Sequence, residues 1–133
     1  MKELVTINKV LFTTIGGLVG SLFGELDGIL YALLIFIIID YMTGLFAAIL
    51  EKNLSSAVGF RGIFKKVVIL FLVALGHLID TKIIHHGGAV RTMVIFFYLS
   101  NEGVSIIENA VRIGLPIPEK LQSILHQIHD KGE

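Results

Sequence analysis

The stretch from Gly28 to Leu50 is apolar almost throughout, and its single charged side chain is the carboxylate of Asp40. A helix of about 20 mostly apolar residues is long enough to cross a bilayer. At the centre of such a helix each Leu, Ile, Phe or Val favours insertion by roughly 0.3 to 0.6 kcal/mol, whereas one Asp costs roughly 2.5 to 3.5 kcal/mol. The apolar side chains outweigh the acid, so the stretch predicts a membrane-spanning helix that carries a carboxylate.

The composition extends this prediction to the whole chain. Of 133 residues, 54% are hydrophobic and 17% are charged, whereas charged residues make up about 25% of a soluble domain. No linker or low-complexity stretch divides the sequence, so we expect one all-α integral membrane domain over residues 1–133. The balance of 11 basic and 11 acidic residues gives no attraction to nucleic acid, and the lack of cysteine excludes disulfides.

Three further hydrophobic segments accompany the stretch 28–50. They cover residues 4–24, 67–84 and 89–110. The segment 4–24 reaches spanning length only if the charged end of Lys9 extends to the membrane interface. The pattern is typical of four transmembrane helices, and three remain an alternative because the first segment could instead lie shallow.

A short amphipathic helix is expected over residues 118–130. Pro116 and Pro118 disfavour helix in the residues before them, and proline suits the first turn of a new helix. The apolar residues that follow are spaced at i, i+3, i+4 and i+7, namely Leu121, Ile124, Leu125 and Ile128. Such a helix suits a membrane surface or a partner helix.

The basic residues predict the orientation of the chain. Residues 51–66 connect the second and third segments and hold Lys52, Arg61, Lys65 and Lys66 against one acid. The positive-inside rule places this connection in the cytoplasm, and with four spans the C-terminus lies there too. Lys82 and Arg91 are the exception, because they fall in the predicted external connection.

Asp40 shares one helix face with small and polar residues, including Thr43 and Gly44. Intramembrane acids commonly face a bundle interior or water, so these three residues are pore or gating candidates. The alternative is that Asp40 is a protonated or hydrogen-bonded packing residue. In an antiparallel hairpin His77 would reach about the same depth and could pair with Asp40, although a lone histidine in a helix is more often a packing residue. Asp80 shares the face of His77 and is a further candidate.

Polar residues also gather on one face of the fourth segment. At 100° per residue they fall within an arc of roughly 120°, opposite Phe96, Ile107 and Val111. We expect this helix to have one hydrated face and one apolar face. The arc contains Tyr98, Arg112 and five pore or gating candidates: Asn101, Glu102, Ser105, Glu108 and Asn109.

Glycines recur at four-residue spacing near the N-terminus, at Gly16, Gly20, Gly24 and Gly28. Small residues at this spacing let two helix backbones approach closely. The pattern predicts a packing ridge on the first helix, and it leaves open whether the partner helix belongs to the same chain or to another copy.

Motifs for catalysis or metal binding do not occur in the sequence. No phosphate-binding loop, nucleophile elbow or dinucleotide fingerprint is present. The histidine pairs lack further ligands at the spacing of a zinc site, so we expect exposed surface residues and no metal. These pairs are His85 with His86 and His126 with His129. The sequence therefore predicts a protein without a cofactor that is not an enzyme.

Four stretches carry a specific combination of motifs, namely "IDYMTGLFAAIL", "SSAVGFRGIFKKVVIL", "GHLID" and "NEGVSIIENAVRIGLPIPEKL". Together they resemble the phage lysis and toxin secretion holins, small membrane proteins that perforate the bacterial cytoplasmic membrane. The last stretch is the most specific, because helix periodicity alone does not select its Asn-Glu, Glu-Asn-Ala and Pro-Ile-Pro elements. The resemblance implies that a set of residues corresponds to the motif positions of the family, but it does not assign a role to each one. They are Asp40, Thr43, Gly44, Gly62, Lys66, Asp80, Asn101, Glu102, Ser105, Glu108, Asn109, Pro116 and Pro118.

This resemblance implies a holin that oligomerises in the host cytoplasmic membrane and forms non-specific lesions. Its partners would be further copies of itself and the lipid bilayer, with an antiholin as an optional regulator. A murein hydrolase or a toxin would be a passenger rather than a tight binder. The alternative interpretation is a small ion channel or transporter subunit that works as a homo-oligomer.

Overall fold

The computed structural model describes residues 1–85 and 87–132, and these ranges contain helices and no strand. Four of the segments are long and apolar enough to cross a membrane: α1, α2, α3 with its π-helical continuation, and α4. The all-α membrane fold expected from the sequence is confirmed. The elements in chain order are α1 (Lys2–Phe23), α2 (Gly28–Leu50), α3 (Ser56–Leu78), a π-helix (Ile79–Ile84), α4 (Ala89–Ile113) and α5 (Glu119–Gly132).

Capping side chains fix where α2 and α3 begin. The carboxylate of Asp27 accepts a hydrogen bond from the amide of Leu30 at 3.1 Å, and the hydroxyl of Ser55 accepts one from the amide of Val58 at 3.2 Å. Each satisfies one of the first amides of a helix, which have no partner within it. The helix that contains the apolar segment 67–84 therefore begins earlier, at Ser56. Hydropathy identifies only the apolar part of a helix, so it does not detect the first half of α3, which carries basic residues.

The apolar core lies between α2, α3 and α4. α2 packs most extensively against α4, and both contact α3. A Cβ on Gly76 would lie 3.0 Å from Cα of Arg91, so this glycine is what allows α3 and α4 to approach so closely. The outer surface is also apolar, which suits contact with lipid. The core residues are Leu30, Leu33, Ile37, Ile69, Val73 and Ile95.

Helix α1 is attached more loosely than the other three long helices. None of its residues is buried, and among the described residues its most extensive packing is against α3. Gly24 ends α1 with a φ of +82°, a left-handed conformation that favours glycine. The predicted ridge does not extend along one helix, because Gly28 already belongs to α2. A Cβ on Gly16, Gly20 or Gly28 would meet nothing within 4 Å, so a packing role between copies stays a prediction.

Helix α5 follows Pro118 and packs against α4. Leu121 and Ile124 are each 44% exposed. The other two residues of the predicted apolar face, Leu125 and Ile128, have side chains outside the described part of the chain. The amphipathic character of this helix therefore stays a prediction.

Candidate functional site

Four polar side chains meet between α2, α3 and α4, and we call Asp40, Lys66, Glu102 and Asn109 the polar centre. Lys66, on α3, donates hydrogen bonds to Asp40 Oδ2 on α2 and to Glu102 Oε2 on α4, the latter at 2.5 Å. Asp40 is 7% exposed and Glu102 is 5% exposed. One lysine thus joins two buried carboxylates from two different helices.

The side-chain amide of Asn109 contacts Asp40 from the other side. Its Nδ2 lies 2.9 Å from Asp40 Oδ1, 3.1 Å from the Asp40 carbonyl oxygen and 3.0 Å from Thr43 Oγ1. A Cβ on Gly44 would lie 3.6 Å from the same nitrogen, so the small residue leaves room for the amide. Both carboxylate oxygens of Asp40 therefore have partners, one on α3 and one on α4.

The ionic groups of the polar centre depend on one another. A single ammonium group faces two carboxylates, and taking a charge out of water costs several kcal/mol unless close partners offset the loss. Removing one member leaves its partner buried without compensation. The network therefore favours one specific arrangement of α2, α3 and α4.

The polar centre is open on one side. A groove of about 850 Å³ exposes it between α3 and α4. Polar residues of the groove include Asn101 and Ser105, beside Asp40, Lys66 and Glu102. The centre is thus accessible from the side of the bundle, past apolar walls formed by Phe60, Phe64, Val68, Ile69, Leu72 and Tyr98.

Arg112 links the polar centre to the connection between α2 and α3. Its Nε and Nη2 donate to the two carboxylate oxygens of Glu51, each at 2.9 Å, and its Nη1 lies 3.3 Å from Asn109 Oδ1. The hydrogen bonds from Arg112 lower the pKa of the Glu51 carboxyl, which lies just beyond α2. Since both side chains are substantially exposed, the pair adds little stability.

A second ionic contact joins the helices at the opposite end, and we call Arg91 with Phe23, Glu25 and Asp27 the Arg91 clamp. Arg91 donates to the carbonyl oxygens of Phe23 and Glu25 at 2.7 and 2.8 Å, and to the carboxylate of Asp27 at 2.9 Å. The hydrogen bond from Arg91 to the Asp27 carboxylate lowers the pKa of that carboxyl. The clamp accounts for Arg91 in the predicted external connection, because its charge is paired and 7% exposed.

Asp80 lies near the clamp and apart from the polar centre. Its carboxylate accepts hydrogen bonds from the amides of Val90 and Arg91, at 3.0 and 2.8 Å. It thereby satisfies amides in the first turn of α4. The structure gives Asp80 a capping position, and a pore or gating role for it stays a prediction.

The structure does not bring His77 to Asp40, a pairing that the sequence left open beside the more common packing role of a lone histidine. Asp40 is bonded to Lys66. His77 lies beside Gly24, and a Cβ added to Gly24 would lie 2.9 Å from His77 Nδ1. His77 is about 16 Å further along the helix than Lys66, at 1.5 Å per residue. Because α3 begins at Ser56, the residue that faces Asp40 in the antiparallel pair is Lys66.

The remaining candidates on α4 divide into three groups. Glu102 and Asn109 are buried in the polar centre, Asn101 and Ser105 line the groove, and Glu108 is exposed. Helix periodicity predicts a shared face, but the neighbouring helices decide which part of that face is covered.

Lys66 is the member of the centre that sequence patterns alone did not single out. It stands in the basic stretch 51–66, which the sequence pattern predicts to be a connection between helices. Only the resemblance to holins singles Lys66 out. The serine pair at the start of α3 could have indicated the position of Lys66. Serine is typical of a helix N-terminus, and a helix that starts there and continues into the apolar segment includes Lys66.

Histidines do not form a recognisable metal site in the described part of the chain. Across residues 1–85 and 87–132, no group of three or more His, Cys, Asp or Glu side chains is arranged to hold a metal ion. His85 and His126 are exposed. His86 and the side chain of His129 lie outside the described residues, so the expected lack of a metal stays a prediction.

The fold and the polar centre together define a class of protein: a small multi-pass membrane protein with an apolar exterior and an ionic network between its helices. Residues 17–130 match the model of the bacteriophage holin family. The chain belongs to this family and is a multi-pass protein of the cytoplasmic membrane, as the resemblance of its motifs predicted.

One of the relatives described next carries a holin name, and the other two are uncharacterized. A protein of Bacillus phage phi105 named "Probable holin" is 35% identical over 112 residues, 84% of this chain and 82% of the phage protein. An uncharacterized protein of Listeria monocytogenes is 47% identical over 110 residues, 83% of this chain and 78% of its own length. An uncharacterized 14.9 kDa protein of Clostridium perfringens is 37% identical over 131 residues, 98% of this chain and 99% of its own length. No solved structure shows significant similarity to the chain.

Proposed function

We propose that the chain assembles with further copies of itself in the bacterial cytoplasmic membrane and opens non-specific lesions without catalysis. A murein hydrolase of a lysing phage, or a toxin, passes through these lesions. The observation that carries the proposal is the polar centre, an ionic network held between the spanning helices of a member of the holin family.

Two opposite requirements act on a protein that accumulates in a membrane and later perforates it. Before perforation its polar side chains must be kept from lipid, because unpaired polar groups are costly there. Afterwards the same side chains must face water. Asp40, Lys66 and Glu102 fit both requirements, since they satisfy one another in the closed chain and lie along an existing groove.

The groove also indicates where the helices separate. A groove already lies between α3 and α4 beside Lys66 and Glu102, and a movement of α3 away from α4 would break the contact between these two residues. The freed charges then require water or the polar face of another copy. Such an all-or-none exchange between internal and external partners makes a two-state switch, which holds the closed form until enough copies are present.

The orientation proposed for the chain follows from its basic residues. Arg61 and Lys65 lie near the start of α3 and are exposed, which favours a cytoplasmic position for the connection between α2 and α3. With four spans, the C-terminus is then cytoplasmic as well.

Expression of the chain alone in a bacterium tests the proposal. We expect growth to continue at first and then to stop abruptly, with loss of membrane potential and release of macromolecular dyes. Release of ions without dye would instead support the alternative, a small ion channel or transporter subunit. An intact membrane potential during sustained high expression would refute lesion formation.

Substitutions of Asp40 test whether its charge is needed. Asp40→Asn keeps the size and much of the hydrogen bonding, whereas Asp40→Leu removes both charge and hydrogen bonding. We expect both variants to accumulate in the membrane and to delay or abolish perforation. Glu3→Gln is the matched control, because Glu3 is an exposed acid on α1 outside the polar centre, and it should keep the normal timing.

The outcomes distinguish a charge role from a packing role. If Asp40 only bonds neighbouring helices, Asp40→Asn behaves like the unmodified chain and Asp40→Leu alone fails. Normal timing with Asp40→Leu, at equal amounts of protein in the membrane, would show that the carboxylate contributes to neither role.

A further inference from the structure

The groove between α3 and α4 carries unpaired positive charge near the start of α3. Arg61 and Lys65 line it and are exposed. Neither forms a salt bridge with any residue that the structure describes. The carboxylates in the groove, Asp40 and Glu102, are already bonded to Lys66, so they do not neutralise this basic pair.

The length of α3 puts the basic pair at the level of lipid headgroups. The third membrane segment has 29 residues, about 43 Å at 1.5 Å per residue. This length matches a bilayer of roughly 40 to 45 Å including its headgroup regions, around a hydrocarbon core of roughly 30 Å. Arg61, about 8 Å from the start of the helix, therefore lies at the inner boundary of the headgroup layer. The backbone of Lys65, about 14 Å from the start, lies deeper, and its long side chain can extend its ammonium group toward the headgroups.

Apolar and aromatic side chains continue the groove from the basic pair toward the bilayer centre. Phe60 and Phe64 stack with ring centroids 6.4 Å apart and are 59% and 65% exposed. From Ala57 to Leu72 the groove follows α3 for about 22 Å, longer than the hydrocarbon depth of one leaflet, about 15 Å. The groove thus presents cations at the headgroup level and an apolar wall along the path of an acyl chain.

We infer that this groove binds one anionic phospholipid, with its phosphate at Arg61 and Lys65 and an acyl chain along Phe64 and Leu72. The inference goes beyond lesion formation and does not depend on it. Charge complementarity favours an anionic lipid as the occupant over a zwitterionic one, because each basic side chain near a membrane surface adds attraction to anionic lipid. The bound lipid would cover the open side of the polar centre in the closed chain.

Native mass spectrometry of the purified full chain tests this inference by counting retained lipid. The chain is presented with phosphatidylglycerol and phosphatidylcholine at equal concentration, and we expect one phosphatidylglycerol per chain in preference to phosphatidylcholine. The double variant Arg61→Gln and Lys65→Gln should lower this retention about 30-fold at low salt. Lys2→Gln with Lys9→Gln is the matched control, since it removes two exposed cations on α1, and it should leave retention unchanged.

A second variant separates the groove from surface charge. Leu72→Trp narrows the apolar part without touching the cations, and we expect it to weaken phosphatidylglycerol retention. Thermal unfolding of each variant in detergent confirms that the fold is kept.

The inference is overturned if both lipids are retained equally, or if the α1 control lowers retention as much as the groove variant. It is also overturned if the groove variant alters only the number of copies in the complex, which would assign the groove to a second copy. Since retention is measured without any lesion assay, its outcome is independent of the proposed holin function.

Discussion

The unit formed by α2, α3 and α4 differs from helix α1 in what holds it together. The three helices of the unit share an apolar core and the polar centre. Helix α1 contributes no buried residue, and its C-terminal end is held by the Arg91 clamp. An apolar cleft of about 420 Å³ lies beside α1, lined by residues that include Gly16, Gly20, Leu30 and Leu34.

This difference follows from the solvent. Lipid tails are as apolar as leucine, so an apolar helix gains little by packing against its neighbours in a membrane. Charged side chains are costly in lipid, so helices that carry them gain much by staying together. We therefore expect substitutions in the polar centre to destabilise the folded chain, and substitutions along α1 to act on contacts between copies.

The largest effect is expected for Lys66→Met. The substitution leaves the carboxylates of Asp40 and Glu102 buried without their cation, and breaking a buried pair in this way costs roughly 3 to 5 kcal/mol. Thermal unfolding in detergent, followed by circular dichroism, should show a large decrease in the midpoint. Lys65→Met is the control, because Lys65 is exposed and next in sequence.

A rescue experiment assigns the loss to charge. Adding Asp40→Asn and Glu102→Gln to Lys66→Met removes the uncompensated carboxylates, so most of the lost stability should return. If Lys66→Met unfolds at the same temperature as Lys65→Met, the polar centre does not stabilise the three-helix unit.

An intermediate effect is expected for Arg91→Gln. It removes the charge from the hydrogen bonds to Phe23, Glu25 and Asp27, but the glutamine amide can still donate to some of these oxygens. A net loss of roughly 1.5 to 3 kcal/mol is expected, about that of one hydrogen bond to a charged group. We expect faster proteolysis of the connection between α1 and α2, while the unfolding midpoint falls less than in Lys66→Met. Lys82→Gln removes an exposed positive charge at the same end and should change neither measurement. Equal proteolysis of both variants would exclude the clamp as the attachment of α1.

A smaller effect on the free energy of unfolding is expected when the Asp27 carboxyl is protonated at low pH. Its carboxyl has a lowered pKa in the folded chain because of hydrogen bonds from Arg91, so the folded state binds a proton less readily than the unfolded state. The resulting stability is present above the ordinary pKa of about 3.9 and is lost as the pH falls through the lower folded value. The side chain is 40% exposed, which reduces the effect.

The comparison variant for this prediction is Asp27→Asn, which can still accept the hydrogen bond from Leu30. The unfolding midpoints of the two chains should differ near neutral pH and converge as the pH is lowered below about 4. A constant difference at every pH would mean that the charge of Asp27 does not contribute.

The smallest effect on the isolated chain is expected for Gly16→Leu. A Cβ at Gly16 meets nothing within 4 Å, so the unfolding midpoint should not fall. If the glycine face of α1 contacts another copy, the same variant should weaken chemical crosslinking between copies in the membrane. Gly17→Leu places the same side chain about 100° around the helix and should crosslink normally. Equal crosslinking by both variants would remove the glycine face from the interface.

Local patterns in the sequence were enough to predict the helices. Their apolar lengths predicted the spanning segments, and prolines predicted a boundary before α5. The motif around Glu102 and Asn109 also indicated the family, which the match over residues 17–130 confirms. These features depend on residues close to one another in the chain, so they can be recognised without knowledge of the packing.

The pairing of helices was decided by the tertiary structure. Asp40 and Glu102 are recognisable in the sequence as unusual acids, but their shared partner depends on the register of α3 against α2 and α4. The Ser55 cap contributes to that register by starting α3 at Ser56. In this register Lys66 lies opposite Asp40, and His77 lies beside Gly24, near the Arg91 clamp. Because charges must be paired wherever water is excluded, the sequence determined that Asp40 needs a partner, and only the packing of three helices determined which one.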